Sequence, residues 1–120
     1  MANAMRLRRV ADQIQRELPE LLRLEVKDPR IGFATVTRVE MSGDLHHARV
    51  LVSVIGSPEA QEESIEGLSS AAGFIRHQLG HRMALRRAPE LTFILDRAAE
   101  EVERVAMLLA KIHKDIPPSE

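Results

Sequence analysis

Apolar residues recur every three or four positions between residues 7 and 22, which indicates an amphipathic helix with one buried stripe. The stripe consists of Leu7, Val10, Ala11, Ile14, Leu18, Leu21 and Leu22. Pro19 lies inside this helix and removes a backbone donor, so we expect a bend there. The helix should end at Asp28-Pro29, because a residue that precedes proline avoids the helical region.

Two segments of alternating β-branched and apolar residues follow, at positions 32–41 and 48–55. Ser42-Gly43-Asp44 lies between them, so the pattern predicts an antiparallel β-hairpin. In the second strand, Ala48, Val50, Val52 and Val54 would share one face, and Arg49, Leu51, Ser53 and Ile55 would share the other. One face of the hairpin is therefore expected to pack, and the other is mixed.

Ser57-Pro58-Glu59 is typical of a helix start, with a capping hydroxyl, a proline whose φ is already set and an acid in the first turn. Apolar residues then continue at helical spacing: Ile65, Leu68, Ala72, Ile75, Leu79 and Met83. This spacing predicts a helix that extends to about residue 86. Gly73 and Gly80 each cost roughly 1 kcal/mol in a helix interior, so a kink is expected at one of them.

Ala88-Pro89-Glu90 should end that helix, and residues 91–95 are a short third strand. A last amphipathic helix is predicted after Asp96, with Val102, Val105, Leu108, Leu109 and Ile112 on one side. The order is α-β-β-α-kink-α-β plus a C-terminal helix, which favours an α+β fold with a three-stranded sheet and helices packed on one face. We expect a flexible N-terminus at 1–5, one domain at 6–113 and a disordered tail at 114–120.

Composition limits the chain to one modest core, because it has 120 residues, of which 44% are hydrophobic. Cysteine is absent, which excludes a disulfide framework and a cysteine-ligated metal. The start of the chain passes directly into Arg6-Leu7-Arg8-Arg9 without an apolar stretch, so we expect neither a signal peptide nor a membrane span. A cytoplasmic protein is the resulting expectation.

Charge is unevenly distributed, although the formal net charge is only -1. Acids cluster at Glu59, Glu62, Glu63 and Glu66, whereas positions 67–89 contain no carboxylate. The arginines of this acid-free stretch are Arg76, Arg82, Arg86 and Arg87. Such segregation can give a nearly neutral protein a local positive face.

Small residues alternate with arginines along one side of the predicted long helix. These positions are Ser69, Gly73, Arg76, Gly80, Ala84 and Arg87, which are spaced by three or four. A surface of this kind lets a phosphate backbone come close while guanidinium groups donate hydrogen bonds, and RNA is its natural partner. Equally, the glycines could permit close packing against the sheet or the first helix.

The three phenylalanines, Phe33, Phe74 and Phe93, are expected in the core, so RNA binding should depend on shape and backbone rather than on stacked bases. His77 and His81 are four residues apart, but they lack the accompanying Glu of a metallohydrolase and a third ligand. We therefore expect no metal, no cofactor and no catalytic residues. The alternatives that remain are a protein-interaction module built on the first and last helices, and a small hydrolase that uses His77 and His81.

Three blocks of the sequence resemble the ribosome-binding factor A family. They are Asp28-Pro29-Arg30-Ile31-Gly32, Asp44-Leu45-His46-His47-Ala48-Arg49-Val50, and the run from Gly73-Phe74-Ile75-Arg76 through Pro89-Glu90-Leu91-Thr92-Phe93. In that family an interhelical kink at an Ala-x-Gly motif replaces the Gly-x-x-Gly loop of K-homology domains. Ala71-Ala72-Gly73 matches this motif.

The resemblance implies a type II K-homology-like fold and a ribosome assembly factor. It would bind the free 30S subunit and its 16S rRNA, assist late maturation and processing of the 16S rRNA 5′ end, and support growth in the cold. The resemblance also implies a functional link to a ribosome-associated GTPase. A monomer is expected, with RNA contacts from Arg76, Arg82, Arg86, Arg87, Gly73 and Gly80.

The Ala-x-Gly match also suggests why residue 73 is a glycine. If the kink needs a positive φ at Gly73, replacing it with alanine should destabilise the fold. If RNA must approach closely, the same change should weaken binding alone. The first explanation is favoured, because the resemblance places the kink at this motif.

Overall fold

In residues 4–115, which are described by a computed structural model, the elements follow the predicted order. They are α1 (Ala4–Glu25), β1 (Phe33–Met41), β2 (His47–Ile55), α2 (Pro58–Ser70), α3 (Ala72–Arg82), β3 (Glu90–Leu95) and α4 (Ala98–Asp115). The predicted α+β fold is confirmed. No helix in this part of the chain is both long and apolar enough to span a bilayer.

The three strands form one mixed sheet with β2 in the centre. Strand β1 pairs with β2 in antiparallel register, with Phe33 opposite Ile55 and Met41 opposite Ala48, so the predicted hairpin is confirmed. The register shifts between Val36 and Arg38. Strand β3 pairs with β2 in parallel, which brings the starts of β2 and β3 to the same end of the sheet.

The core lies between one face of the sheet and helices α1, α2 and α3. As predicted, alternate residues of β2 point into it, and Val50 and Val52 have no exposed surface. The helices contribute fully buried side chains, namely Ile14, Leu18 and Leu21 of α1, Leu68 of α2, and Ile75 and Leu79 of α3. Helix α1 continues through Pro19, and it ends at Glu25, three residues before the predicted Asp28.

The long helix is interrupted as predicted. The break is at Ala71, which has φ −89° and ψ 0° and separates α2 from α3, so it lies at the first residue of the Ala71-Ala72-Gly73 motif and not at Gly73 or Gly80. The helix ends at Arg82 rather than near residue 86. The chain turns there because Ala84 has a φ of 51°. Ala84 and Arg87 therefore lie beyond the helix, and the predicted small-and-basic helix face is wrong at these two positions.

Hydrogen bonds hold this turn in a well-known helix-ending geometry. The Ala84 N–H donates to the His81 carbonyl at 3.3 Å, and the Leu85 N–H donates to the Gly80 carbonyl at 2.9 Å. This pair of bonds is the Schellman motif, in which the residue after the C-cap adopts the left-handed conformation. Glycine usually occupies that position, so alanine there gave no signal in the sequence.

The Asp28-Pro29-Arg30-Ile31-Gly32 block forms a turn that is bound to α2. Asp28 Oδ2 and Arg30 Nη2 are 2.7 Å apart, and the hydrogen bond from the Arg30 side chain lowers the pKa of Asp28. The hydroxyl of Ser64, which is 1% exposed, accepts from the Gly32 N–H at 3.1 Å and donates to the Arg30 carbonyl at 3.3 Å. The backbone of this block is therefore fixed against α2.

The ends of the described chain are more helical than predicted. Ala4 and Met5, which were assigned to a flexible segment 1–5, belong to α1, and residues 1–3 lie outside the described part. The predicted tail 114–120 begins within α4, which continues to Asp115, and residues 116–120 are also outside it. Among residues 98–113, every side chain that is described is exposed.

Candidate nucleic-acid interface

An open cavity of about 460 Å³ lies between helix α3 and the loop that follows it. This cavity is here called the basic recess. Its lining residues are Gly73, Arg76, His77, Gly80, His81, Leu85, Arg86, Arg87 and Ala88. The Schellman turn positions this surface, because it directs the chain after α3 back along the helix. Three of the four arginines in the acid-free stretch are thereby brought together.

The arginines of the basic recess have uncompensated charge. Within the described residues, Arg76, Arg86 and Arg87 form no ion pair with a carboxylate. Arg76 donates from Nε to the Ala88 carbonyl at 3.0 Å, which fixes the guanidinium and leaves its other N–H groups available. Fixed, unpaired guanidinium groups are well suited to bind phosphate oxygens.

Arg82 faces the opposite way. Its Nη1 lies 3.6 Å from Glu17 Oε2 and 3.7 Å from Glu20 Oε1, both on α1, and its side chain is only 23% exposed. The structure thus places Arg82 between α3 and α1 and outside the basic recess. Counting charges along the sequence could not show this, because the acids that pair with it are more than sixty positions away in the chain.

The two glycines of the basic recess leave its floor open. A Cβ on Gly73 would meet no atom within 4 Å, whereas one on Gly80 would make ordinary contacts with Ala88 Cβ at 3.6 Å and the Leu85 carbonyl at 3.8 Å. Close packing therefore does not require glycine at position 73. Gly73 also lacks a positive φ, so the favoured explanation of its role in the kink is wrong.

His77 and His81 lie side by side on the wall of the basic recess. Their Nε2 atoms are 3.2 Å apart, and the rings meet edge to face at 84°. One imidazole N–H can therefore donate to the other ring. On an adjoining rim, His47 Nδ1 lies 3.1 Å from Glu90 Oε2, so the carboxylate that lines this rim together with Arg76 already has a partner.

Two shallow cavities continue the basic recess. One lies between α3 and β3 and is lined by Ala72, Gly73, Arg76, Glu90, Leu91 and Thr92. The other is lined by His46, His47, Arg76, Arg87, Ala88 and Glu90. Arg76 lines all three cavities. The sequence did not predict a contribution from β3, because it gives no indication of which strand lies beside α3.

The predicted burial of the phenylalanines is correct only for Phe93, which is 5% exposed. Phe33 is 80% exposed and Phe74 is 47% exposed. Phe33 points away from the helices on the outer sheet face, which no other layer covers in the described chain, and Phe74 follows Gly73 on α3. The argument against base stacking, which assumed that all three were buried, is therefore not supported.

Comparisons with known proteins agree on one family. The family model described as ribosome-binding factor A matches residues 6–109. Ribosome-binding factor A of Rippkaea orientalis is 45% identical over 100% of this chain and 95% of its own length. The protein of the same name from Thiobacillus denitrificans is 50% identical over 87% of this chain and 84% of its own length.

Solved structures of similar proteins share the fold. A putative ribosome binding factor A from Thermotoga maritima has a TM-score of 0.70 at 38% identity, and the match covers 82% of this chain and 93% of that one. A homology model of the Thermus thermophilus factor, fitted into a cryo-EM map of its complex with the 30S subunit, has a TM-score of 0.62 at 31% identity. That match covers 72% of this chain and 91% of the other.

Proposed function

The chain belongs to the ribosome-binding factor A family, and from this premise we propose that it binds the free 30S ribosomal subunit through its 16S rRNA. One observation supports this most directly: Arg76, Arg86 and Arg87 meet around two glycines, and no carboxylate in residues 4–115 is paired to them. Phosphate groups of rRNA complement such a surface in charge and hydrogen bonding. The Thermus thermophilus relative, which was fitted into a 30S complex, supports the same partner.

The protein assists late maturation of the subunit by binding and not by catalysis. A factor that prefers one conformation of the precursor RNA raises the population of that conformation, and separate nucleases then process the 16S rRNA 5′ end. This role matters most in the cold, where misfolded RNA persists longer. In this proposal the protein acts in the cytoplasm as a monomer, needs no cofactor, and leaves the subunit with the help of a ribosome-associated GTPase.

Co-sedimentation with purified 30S subunits over a range of salt concentrations tests the basic recess. Replacing Arg86 and Arg87 together with glutamine should weaken binding by about tenfold and reduce the slope of affinity against salt, because each lost phosphate contact contributes nearly one unit to that slope. Arg49→Gln with Arg38→Gln is the matched control, since it removes the same charge from the outer sheet face. Unchanged affinity in the Arg86 and Arg87 variant would exclude the recess.

Arg82 remains a predicted RNA contact, and a third variant tests it. If Arg82 acts only through its ion pairs with Glu17 and Glu20, Arg82→Gln should leave the salt slope unchanged and lower the melting temperature slightly. If it contacts rRNA, the slope should fall as it does for Arg86 and Arg87. Measuring both quantities on one preparation separates the two roles.

The exposed side of α4 favours a second candidate function, a protein-interaction module. Val102 is 70% exposed and Leu109 is 60% exposed, whereas the apolar stripe of α1 is buried in the core. Sedimentation velocity without RNA distinguishes the two functions. Association that increases with protein concentration would support the module, and a single monomeric species at all concentrations is expected if rRNA is the partner.

A further inference from the structure

A second cavity of about 860 Å³, here called the hairpin groove, lies beside the basic recess. It is formed by the β1–β2 loop, the first turns of α1 and the loop that follows α3. The lining residues are Arg6, Val10, Gly43, Asp44, Leu45, His46, Leu85, Arg87 and Pro89. Val10 and Leu85 pack against the core and Pro89 is buried, so the floor is apolar and fixed, while Arg87 and His46 supply a polar rim.

The backbone around the hairpin groove is held in an unfavourable conformation. Leu45 has a φ of 62° and Ala84 a φ of 51°, and they are the only non-glycine residues with positive φ in residues 4–115. Side chains with a Cβ disfavour this region, and such residues persist only where neighbouring bonds hold them. Leu45 lines the groove itself, and Ala84 directly precedes Leu85 on its floor.

A hydrogen-bonded network holds Leu45 in place. The Ser42 hydroxyl donates to Asp44 Oδ1 at 2.6 Å and accepts from the His47 N–H at 3.0 Å. Asp44 Oδ1 also accepts from the His46 N–H at 3.0 Å. These bonds lower the pKa of Asp44, the Ser42 hydroxyl contributing most. The loop is therefore held in place by its own hydrogen bonds, and Asp44 stays ionised at neutral pH.

The hairpin groove is continuous with the basic recess. Arg87 lines both cavities, and also the one between them that contains His46, His47 and Arg76. A ligand whose phosphate lies on Arg87 can therefore extend into the groove without leaving the surface. A nucleobase has the matching chemistry, since its faces are apolar and its edges form hydrogen bonds. The groove offers a cation, Arg87, and a carboxylate, Asp44, which complement a phosphate and the N–H groups of a base edge better than they complement an apolar protein segment.

We propose that the hairpin groove accepts an unpaired RNA base whose adjoining phosphate is bound by Arg87. The proposal rests on the proposed function and adds to it a second subsite, which recognises single-stranded RNA. Leu45 and Leu85 contact the face of the base, and the rim of the groove contacts its edge. The groove is large enough for one nucleotide together with part of its neighbour.

Two RNA probes that differ only in their bases test this subsite: a uridine octanucleotide and an octanucleotide of the same length made of abasic ribose phosphates. Both present the same phosphates, so the basic recess should bind both with similar salt dependence. The uridine probe should bind the wild-type protein about tenfold more tightly, a difference typical for one buried base. Fluorescence anisotropy on the full-length chain measures both affinities.

Leu45→Asn removes the apolar contact and keeps the loop, because asparagine tolerates positive φ. It should lower affinity for the uridine probe to the abasic level and leave the abasic affinity unchanged. Ile55→Asn is the matched control, because Ile55 is a 77% exposed aliphatic residue at the far end of β2, and it should change neither affinity. Arg87→Gln should weaken the binding of both probes.

Equal binding of the two probes by the wild-type protein would overturn the proposal, and so would a Leu45→Asn variant that still prefers the uridine probe. Neither result would affect the proposed function, which depends on co-sedimentation with 30S subunits. If an apolar peptide but not the uridine probe shifts the amide resonances of Gly43 and Leu45, the groove is a protein site and the proposal fails. In the proposed case, the uridine probe shifts both resonances.

Discussion

Ala84 has a left-handed backbone conformation at the position that follows the C-cap of α3. A Cβ in this region lies too close to its own backbone, at a cost of roughly 1–2 kcal/mol. The Schellman bonds from Ala84 and Leu85 hold the turn nonetheless. Because alanine is the strongest helix former, Ala84 gave no sign that α3 ends there, and the apolar spacing through Met83 predicted a helix to about residue 86.

Replacing Ala84 with glycine should increase the free energy of unfolding by about 0.5–1 kcal/mol. Glycine removes the strain, while its greater freedom in the unfolded chain offsets part of the gain. Urea denaturation measures the change. Ala72→Gly in α3 is the control, and it should lower stability by about 1 kcal/mol, since that residue is helical. A lower midpoint for Ala84→Gly would show that the turn is not strained in solution.

Three aspartates should determine how the protein responds to acid. Hydrogen bonds lower the pKa values of Asp28, Asp44 and Asp96, chiefly those from Arg30, Ser42 and Thr37 respectively. Because these folded-state pKa values lie below 3.8, the ordinary value of an aspartate, the stabilisation is complete above that pH and is lost as the pH falls through the folded-state pKa.

Protonation of these three aspartates should therefore leave the melting temperature unchanged down to about pH 5 and lower it below about pH 4. Calorimetry across this range measures the effect. Asp28→Asn should reduce the loss at low pH, because one of the three carboxyls then no longer titrates. An equally steep loss in that variant would assign the acid sensitivity to other groups.

Among the elements, the helix pair α2 and α3 shows how two helical glycines can have different roles. A Cβ on Gly67 would lie 2.8 Å from Ile31 Cγ1 and 3.3 Å from Arg30 Cβ, because α2 packs closely on the turn at residues 28–32. A Cβ on Gly73 in α3 would meet nothing within 4 Å. The same substitution should therefore have opposite effects on stability at the two positions.

Gly67→Ala should destabilise the protein by about 1–3 kcal/mol through overpacking. Gly73→Ala should instead stabilise it by about 0.5–1 kcal/mol, because alanine has the higher helix propensity. Chemical denaturation of the two variants in parallel tests both expectations. If close approach of RNA explains Gly73, its variant should also bind 30S subunits more weakly, whereas unchanged binding would mean that neither proposed reason for this glycine applies.

Helices and strands were predicted correctly where the hydrophobic period and the turn or capping residues indicated the same element. The hairpin at residues 33–55 and the Ser57-Pro58 helix start are examples, and Ser57 Oγ accepts from the Ala60 N–H at 3.2 Å. The prediction failed at Ala84, where no local residue pattern marks the end of α3. It also failed for Arg82, because tertiary packing determines the direction of that side chain. The side to which an arginine on a helix points depends on neighbours that no local pattern identifies.

For the whole molecule, the sequence identified the acid-free stretch but not the cavities to which it contributes. The basic recess combines α3 with the loop that returns along it, and the hairpin groove adds the β1–β2 loop and the start of α1. Leu45 and Val10 are separated by 35 positions, so their proximity is a result of the fold. The sequence indicated only the arginines and the two glycines of the basic recess.

Helix α4 is the part of the molecule that contributes least to the domain. Its start is tied to β1 and to α2, since Thr37 Oγ1 donates to Asp96 Oδ2 at 2.6 Å and Gln61 Nε2 donates to Glu100 Oε1 at 2.8 Å. Beyond Glu100, all described side chains through His113 are exposed. An isolated helix of this length is marginal in water, so the distal part of α4 should open easily.

Ending the chain after Glu103 should therefore change the melting temperature by no more than about 2 °C, because the truncation exposes no core side chain and retains the hydrogen bonds of Asp96 and Glu100 to Thr37 and Gln61. Amide hydrogen exchange of the intact chain should show little protection in residues 104–113 and strong protection in α1.

A chain that ends after Leu95 is the control, and it should melt lower since it lacks Asp96 and Glu100. If the chain that ends after Glu103 loses as much stability as the chain that ends after Leu95, α4 packs on the domain in solution. If the chain that ends after Glu103 keeps its stability but binds 30S subunits more weakly, the apolar side of α4 contacts the subunit.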